Sequence, residues 1–258
     1  MSKESRRKLE EMLRELKLPG VGACHGEAAS RAEKEGWGFE RFLHHVLDIE
    51  LEQRRQKRLE RVMKAAKLPT GKTMATLDQE RLPVKVRRQL PALIQGGFVD
   101  RAENLLAFGL PGRGKTHLVC ALGAELIQQG YTVHFTPAFA LVQRLLLARK
   151  TYGLEKELHR LDAFDALIID DIGYIQQDRD ETEVLFTLLA DRYERRTVIL
   201  TSNLVFSQWD RIFKDPMTTA AAIDRIIHHC VILELNGNSF RAEAAKARMP
   251  QIAEHATA

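Results

Sequence analysis

The feature that most constrains this chain is residues 109–116, which read Gly-Leu-Pro-Gly-Arg-Gly-Lys-Thr. This is a complete G-x-x-x-x-G-K-[ST] phosphate-binding loop. The apolar run 104–108 before it predicts a buried strand, and 117–129 after it has apolar residues at helical spacing. A glycine-rich turn between a strand and a helix directs backbone N–H groups at a phosphate. The sequence therefore predicts a nucleotide-binding α/β domain.

The chemistry of this pattern assigns roles to single residues. Lys115 would reach the β- and γ-phosphates, and Thr116 would ligate a magnesium ion. His117 opens the following helix, where we expect its side chain to pack. ATP and Mg²⁺ are the expected ligands. The loop residues predicted to bind the nucleotide are Gly109, Pro111, Gly112, Arg113, Gly114, Lys115, Thr116 and His117.

Two adjacent acids end an apolar strand at 166–169, some fifty residues after the loop. In proteins with such a loop, the neighbouring strand delivers an acid to the magnesium shell, so Asp170 is predicted to join Thr116 as a metal ligand. Asp171 would face the water beyond the γ-phosphate and could orient or deprotonate it. The alternative is an ordinary turn at a strand end, where Asp is common.

Strands alternate with helices from residue 98 onward. Near-continuous apolar strands separated by helices indicate a parallel sheet that is covered on both faces. The strand 197–201 is followed by Ser202 and Asn203. The Asn203 amide could hydrogen-bond the attacking water, or Asn203 could begin a turn or cap a helix. The remaining predicted strands are 131–135 and 231–235.

The predicted organisation is a small all-helical domain at 1–95 and the α/β domain at 96–258. Apolar residues at helical spacing predict one helix over 4–17, which Pro19-Gly20 would stop. They predict a second helix that starts near Phe39 and runs on into a strongly basic stretch.

The charge of the chain is unevenly spread. The net charge is only +4, yet residues 54–88 hold twelve basic and three acidic side chains, a local net charge of +9. Such a surplus suggests a polyanion partner, most simply nucleic acid, although a solvated helix face would show the same run. The residues predicted to contact DNA are Arg54, Arg55, Lys57, Arg58, Arg61 and Lys64.

Other sequence features indicate where the protein is located in the cell and whether its histidine pair binds a metal ion. Three widely separated cysteines without a Cys-x-x-Cys pair fit a reducing cytoplasm. No apolar run approaches the roughly 20 residues that a membrane helix needs, and the N-terminus lacks an apolar signal core. His228 and His229 fall in a predicted helix, 218–229, where adjacent side chains point about 100° apart. We therefore expect a cytoplasmic protein without a metal site at this histidine pair.

The order of these motifs resembles the AAA+ ATPases of the DnaA, DnaC and IstB group, most closely the IstB-like helper ATPases of insertion sequences. The resemblance covers about residues 98–245. Its most discriminating part is an Asp-Arg-x-x-His-His segment that is followed by Ser-Phe-Arg. The matching segments are 104–106, 114–118, 169–173, 201–203, 222–229 and 238–241.

The resemblance implies functions for two arginines. Arg225 would be an arginine finger that reaches the ATP of a neighbouring subunit; the alternative is a helix-surface arginine paired with Asp224. Arg241 matches a second sensor arginine, which would contact the γ-phosphate. Only 17 residues follow Arg241, so we expect no C-terminal helical lid, and Arg241 would have to act from the α/β domain itself.

The family picture implied by the resemblance is an ATPase that forms a homo-oligomer on duplex DNA and assists a separate transposase of the same element. No acidic triad for strand transfer is visible, so we do not expect this chain to cut or join DNA. Two alternatives stay open from the sequence. One is a DnaC-like helicase loader, and the other is a scaffold that ATP switches with negligible hydrolysis.

Overall fold

The computed structural model describes residues 3–174, 179–204, 208–209, 216–236 and 239. The chain divides into two compact units, Met1–Arg61 and Val62–Ala258. This division lies N-terminal to the domain boundary predicted between residues 95 and 96, which stays a prediction. Within the described ranges, no helix is long and apolar enough to cross a bilayer.

The first unit is helical, as predicted. Helix α1 spans Lys3–Glu15, α2 spans Pro19–Glu35, and α3 begins at Phe39 and ends at Ala66. The sequence analysis missed α2 because Pro19 was interpreted only as a helix stop. Proline is also well suited to the first turn of a helix, where its missing N–H costs no hydrogen bond. The small core of this unit is formed by Leu13, Val21, Ala28 and Val46.

The beginning of α2 is stabilised from α3. Leu18 precedes the helix and supplies no side-chain cap. Instead, the Gly20 and Val21 N–H groups donate to Glu50 Oε2 at 2.6 and 3.2 Å. Arg54 Nε donates to the other carboxylate oxygen of Glu50 at 2.7 Å. A buried carboxylate thus satisfies backbone donors that the helix itself leaves unpaired.

The second unit is built around a five-stranded sheet. The strands are β1 (Asn104–Phe108), β2 (Val133–Pro137), β3 (Ala166–Asp170), β4 (Thr197–Ser202) and β5 (Cys230–Glu234). All five predicted strands are present, each within two residues of its expected start. The helices are α4 (Val84–Ile94), α5 (Gly97–Asp100), α6 (Lys115–Gln128), α7 (Ala138–Lys150), α8 (Leu154–Asp162), α9 (Arg179–Arg192) and α10 (Pro216–Ile227).

The sheet is parallel, with the strand order β2-β3-β4-β1-β5. The strand that precedes the phosphate loop, β1, lies between β4 and β5, and β3 lies beside β4. Because every strand runs in the same direction, the carboxyl ends of β1, β3 and β4 meet at one edge of the sheet. The predicted α/β fold is confirmed, and this edge collects the functional side chains.

Helices cover both faces of the sheet. The side chains of Leu118 and Leu122 on α6 are fully buried. Leu141 of α7 and Leu188 of α9 are also fully buried and belong to a cluster with Leu106 of the central strand. The absence of a C-terminal lid stays a prediction, since residues 240–258 lie outside the described part of the chain.

Candidate nucleotide site

The phosphate loop connects β1 to α6 in the predicted manner. Gly114 precedes the helix with a left-handed φ of 82°, a conformation that side chains disfavour. Lys115 is buried, and its Nζ donates to the Gly109 and Leu110 carbonyls at 2.6 and 3.2 Å. The ammonium group therefore lies across the loop, where phosphate oxygens could replace these carbonyls as acceptors.

The metal side of the site pairs the two predicted ligands. The Thr116 hydroxyl donates to Asp170 Oδ1 at 2.9 Å and Oδ2 at 3.1 Å. Thr116 lies in the first turn of α6 and Asp170 ends β3, so two separate elements present oxygen atoms to one point. Oxygen donors of this kind suit Mg²⁺, which prefers carboxylate and hydroxyl oxygens over nitrogen or sulfur. The residues present therefore fit the predicted ion.

A third residue, Thr201, connects the two acids. Its hydroxyl donates to Asp170 Oδ1 at 2.7 Å and accepts the Asp171 N–H at 2.8 Å. From the sequence, Thr201 was predicted only to end a strand, and no local pattern marks its pairing with Asp170. The pairing follows from the sheet, in which β3 pairs with β4 up to Ile169 and Leu200, one residue before Asp170 and Thr201.

Asp171 and Asn203, two further predicted site residues, both follow the carboxyl ends of strands. Both line a cavity of about 280 Å³ together with loop residues 111–117. Asp171 has a left-handed φ of 67°. The Asn203 Oδ1 atom is buried and, within the described ranges, has no hydrogen-bond partner. A buried amide oxygen without a partner, in a residue that lines this cavity, is an available acceptor for a water molecule or ligand after a small rotation of the side chain.

One wall of this cavity was not anticipated. It comes from the segment between α3 and α4, through Lys72, Thr76, Leu77 and Asp78. Thr76 Oγ1 lies 3.0 Å from His117 Nε2, and the Thr73 carbonyl lies 3.3 Å from the same nitrogen. His117 thus packs as expected and also fastens this segment beside the phosphate loop.

The candidate finger Arg225 lies on α10. Its guanidinium carbon is 4.7 Å from the centroid of the Phe186 ring on α9. The Nη1 atom is buried and, among the described residues, has neither a hydrogen-bond partner nor an ion pair with Asp224. Arg225 does not line the cavity of its own chain as far as the described ranges extend. The second candidate, Arg241, falls outside them.

The basic residues of α3 are exposed but not equivalent. Arg54 is paired with the buried Glu50 and donates to the Lys17 carbonyl at 2.6 Å. Arg55 lies 3.8 Å from Glu52. Within the described part of the chain, the remaining predicted DNA contacts form no ion pair: Lys57, Arg58, Arg61 and Lys64.

The histidine pair departs from the sequence analysis. Helix α10 ends at Ile227, so His228 and His229 lie in the turn before β5 and not within a helix. Their ring centroids are 4.2 Å apart. Neighbouring side chains diverge in a helix, but these two residues lie outside one. The expected separation of the two rings was therefore wrong.

Comparison with solved structures identifies the fold class of the protein. The fold matches AMPPCP-bound DnaA from Aquifex aeolicus with a TM-score of 0.54 at 19% identity, over 72% of this chain and 56% of that one. It matches the DnaC helicase loader with a TM-score of 0.53 at 18% identity, over 68% of this chain and 99% of that one. The structure and its phosphate loop therefore define a P-loop protein of the AAA+ fold.

The family follows from sequence. The model of the IstB-like ATP-binding proteins matches residues 11–247. An insertion-sequence ATP-binding protein of Sinorhizobium fredii is 41% identical over 91% of this chain and 79% of its own length. The IS21 ATP-binding protein of Pseudomonas aeruginosa is 36% identical over 90% of this chain and 88% of its own length. The chain belongs to the IstB-like ATP-binding family of insertion sequences, and the resemblance inferred from its motifs is confirmed.

Proposed function

We propose that this chain is a cytoplasmic, DNA-binding ATPase that regulates transposition. It assembles as a homo-oligomer on duplex target DNA, assists a separate transposase and hydrolyses ATP. Residues 1–95 form its DNA-binding part, and residues 96–258 form its ATPase part. The observation that carries the proposal is the combination, in a chain of this family, of a complete nucleotide site and an exposed basic helix.

Hydrolysis rests on the groups around the cavity. Lys115 and the loop N–H groups bind the phosphates, and Thr116 and Asp170 would hold Mg²⁺, which supplies charge neutralisation at the phosphate oxygens. Asp171 accepts the proton of the attacking water or orients it. The Asn203 amide positions that water, since its oxygen is buried beside the same cavity.

The finger acts between subunits. Arg225 lies away from its own cavity, and its Nη1 atom is not committed to any partner within the described residues. An arginine supplied by a neighbour contributes roughly 10³–10⁵ in rate in related phosphoryl-transfer enzymes. Hydrolysis would therefore depend on assembly, which is the property that a DNA-assembled regulator requires.

DNA binding rests on the exposed face of α3. Lys57, Arg58 and Arg61 lie within two turns of one helix and have no intramolecular ion pair in the described structure. Side chains of this kind bind phosphates and release counterions, so the affinity would be steeply salt-dependent and weakly sequence-specific. Arg54 contributes less to this surface because Glu50 holds it.

The first experiment measures ATP turnover with and without random duplex DNA across a salt series. We expect duplex DNA to stimulate turnover and high salt to remove the stimulation. Arg225→Ala should abolish the stimulation and leave ATP affinity unchanged. Arg149→Ala is the matched control, because Arg149 is an exposed arginine that pairs with Glu183 at 3.1 Å and does not line the cavity described above.

The second experiment separates the DNA surface from general charge. Arg58→Ala/Arg61→Ala should weaken duplex binding and lower the slope of log K against log salt by roughly two. Lys150→Ala/Lys156→Ala removes the same charge from exposed positions of the other unit and should change neither. If duplex DNA alters neither turnover nor assembly of the native protein, the transposition proposal fails, and a helicase loader or an ATP-switched scaffold replaces it.

A further inference from the structure

Three side chains outside the nucleotide site converge near the end of α10. His228 Nδ1 and His229 Nε2 each lie 3.8 Å from the same oxygen atom, Oε1 of Glu194. One ligand atom from each residue lies within 4.8 Å of the other two. All three side chains are exposed. Among the described residues, this is the one group of three His, Cys, Asp or Glu side chains that meets these distances.

The fold brings the three residues together from two distant turns. Glu194 follows α9 with a left-handed φ of 56°, in the turn that leads into β4. The two histidines follow α10 in the turn that leads into β5. Helices α9 and α10 pack against each other, so their carboxyl-terminal turns lie side by side. The arrangement is thus fixed by elements of the same compact unit.

We propose that Glu194, His228 and His229 form a binding site for a divalent transition-metal ion such as Zn²⁺. Two imidazole nitrogens and one carboxylate oxygen are a ligand set of the kind found at catalytic and regulatory zinc sites. Nitrogen ligands distinguish this site from the all-oxygen pair of Thr116 and Asp170, which suits Mg²⁺. The fourth position would be taken by water.

The distances fit this assignment. In a tetrahedral zinc site, metal–ligand bonds of about 2.0–2.2 Å place ligand atoms roughly 3.3–3.5 Å apart. The two nitrogen–oxygen separations of 3.8 Å are within about half an ångström of that value. Because the three side chains are exposed, small χ rotations are enough to close this difference.

A nearby phenol completes the surroundings of the site. The Tyr193 hydroxyl lies 2.9 Å from His228 Nδ1, and partial desolvation and the Glu194 carboxylate raise the pKa of this phenol. When an ion takes the imidazole nitrogen, the hydroxyl can turn to donate to the carboxylate. Outer hydrogen bonds of this type orient metal ligands and strengthen the binding.

The position of the site gives it a consequence for the ATPase. Arg225 lies on α10, three residues before His228 in the following turn. A metal ion at this position would fasten the end of α10 to the turn after α9, and so limit the movement of the helix that carries Arg225. Binding would also stabilise the folded unit by mass action.

The test uses the full chain without a histidine tag, in excess Mg²⁺ to saturate oxygen-ligand sites. Titration with Zn²⁺ by calorimetry should give one ion per chain, and Zn²⁺ should raise the midpoint of thermal unfolding. Co²⁺ should give the visible absorption of a four-coordinate nitrogen–oxygen site. His228→Ala/His229→Ala should weaken Zn²⁺ binding at least ten-fold and remove the absorption, and Glu194→Gln should weaken it less.

The matched control is His44→Ala/His45→Ala, an adjacent histidine pair that lies inside helix α3. Circular dichroism and ATP binding establish that each variant is folded. Unchanged Zn²⁺ affinity in His228→Ala/His229→Ala would overturn the proposal, as would equal losses in the two double variants. Absence of Zn²⁺ binding to the native chain at 100 µM total metal would overturn it directly.

Discussion

The hydroxyl of Thr201 donates to Asp170 Oδ1 at 2.7 Å and receives the Asp171 N–H at 2.8 Å. One side chain of β4 therefore fixes the carboxylate at the end of β3 and the backbone of the next residue. The Thr116 hydroxyl, on α6, donates to the same carboxylate oxygen at 2.9 Å. Two hydroxyl groups therefore orient the acids of the site. The phosphate-loop motif predicts that of Thr116 but not that of Thr201.

Thr201→Val should impair hydrolysis without impairing nucleotide binding. Valine keeps the shape but removes the donor to Asp170, and loss of a partner for a buried polar group costs about 1–3 kcal/mol. We expect turnover to fall about ten-fold and the Mg²⁺ concentration for half-maximal activity to rise. Thr201→Ser keeps the hydroxyl and should behave almost as the native protein. Equal activity of the Val and Ser variants would show that Thr201 does not position Asp170.

Gly173→Ala should displace Asn203. A Cβ atom at residue 173 would lie far inside van der Waals contact with Asn203 Oδ1. The amide must then rotate or shift, and the water it positions would be lost. We expect turnover to fall at least ten-fold while the affinity for a non-hydrolysable ATP analogue stays within two-fold. Gly153→Ala is the control, because its Cβ would meet nothing closer than 3.7 Å.

Thr76→Val should weaken nucleotide binding. Thr76 Oγ1 lies 3.0 Å from His117 Nε2 and 2.7 Å from the Gly71 carbonyl, and it holds one wall of the cavity beside the phosphate loop. Without these bonds the wall loosens, and we expect the Kd for ATP to rise about three- to ten-fold. The measurement is a titration with a fluorescent ATP analogue. Thr70→Val, an exposed residue of the same segment, should leave the Kd unchanged.

The link between Glu50 and α2 should be sensitive to acid. Burial raises the pKa of Glu50, but the hydrogen bonds from Arg54, Val21 and Gly20 together outweigh it and hold the pKa below its usual range. A depressed pKa in the folded state stabilises the protein above the unfolded-state pKa of about 4.3, and this stabilisation is lost as the pH falls through the folded value. Protection of α2 should therefore decline in that range.

Hydrogen exchange of peptides from residues 19–35 measures this effect, after correction for intrinsic rates. Glu50→Ala removes the acceptor of the Gly20 and Val21 N–H groups, so the protection of α2 should fall at neutral pH by about 1–3 kcal/mol. The acid-dependent loss should disappear in the same variant. Glu52→Ala removes an exposed carboxylate two residues further along α3. It should change neither the protection of α2 at neutral pH nor its loss in acid. If the protection of α2 in the native protein did not change with pH, the role assigned to Glu50 would be contradicted.

The sequence by itself determined that the chain has a nucleotide-binding phosphate loop, and it determined the order of the strands along the chain. The loop motif needs only local backbone geometry, because the N–H groups that bind phosphate belong to consecutive residues. Near-continuous apolar runs identified β1 to β5 for the same local reason. Helix α2 was not predicted, because a proline such as Pro19 can follow the end of one helix and also begin the next.

Only the tertiary structure decided which distant residues meet. The order β2-β3-β4-β1-β5 puts Thr201 beside Asp170, which is 31 residues away. Packing places Thr76 against His117 across 41 residues and brings Glu194 to the histidine pair. No local pattern marks such pairs, since each depends on how buried faces of separate elements fit together. Hydrophobic burial is non-directional, so the periodicity of a helix or strand specifies which face is covered but not which neighbour covers it.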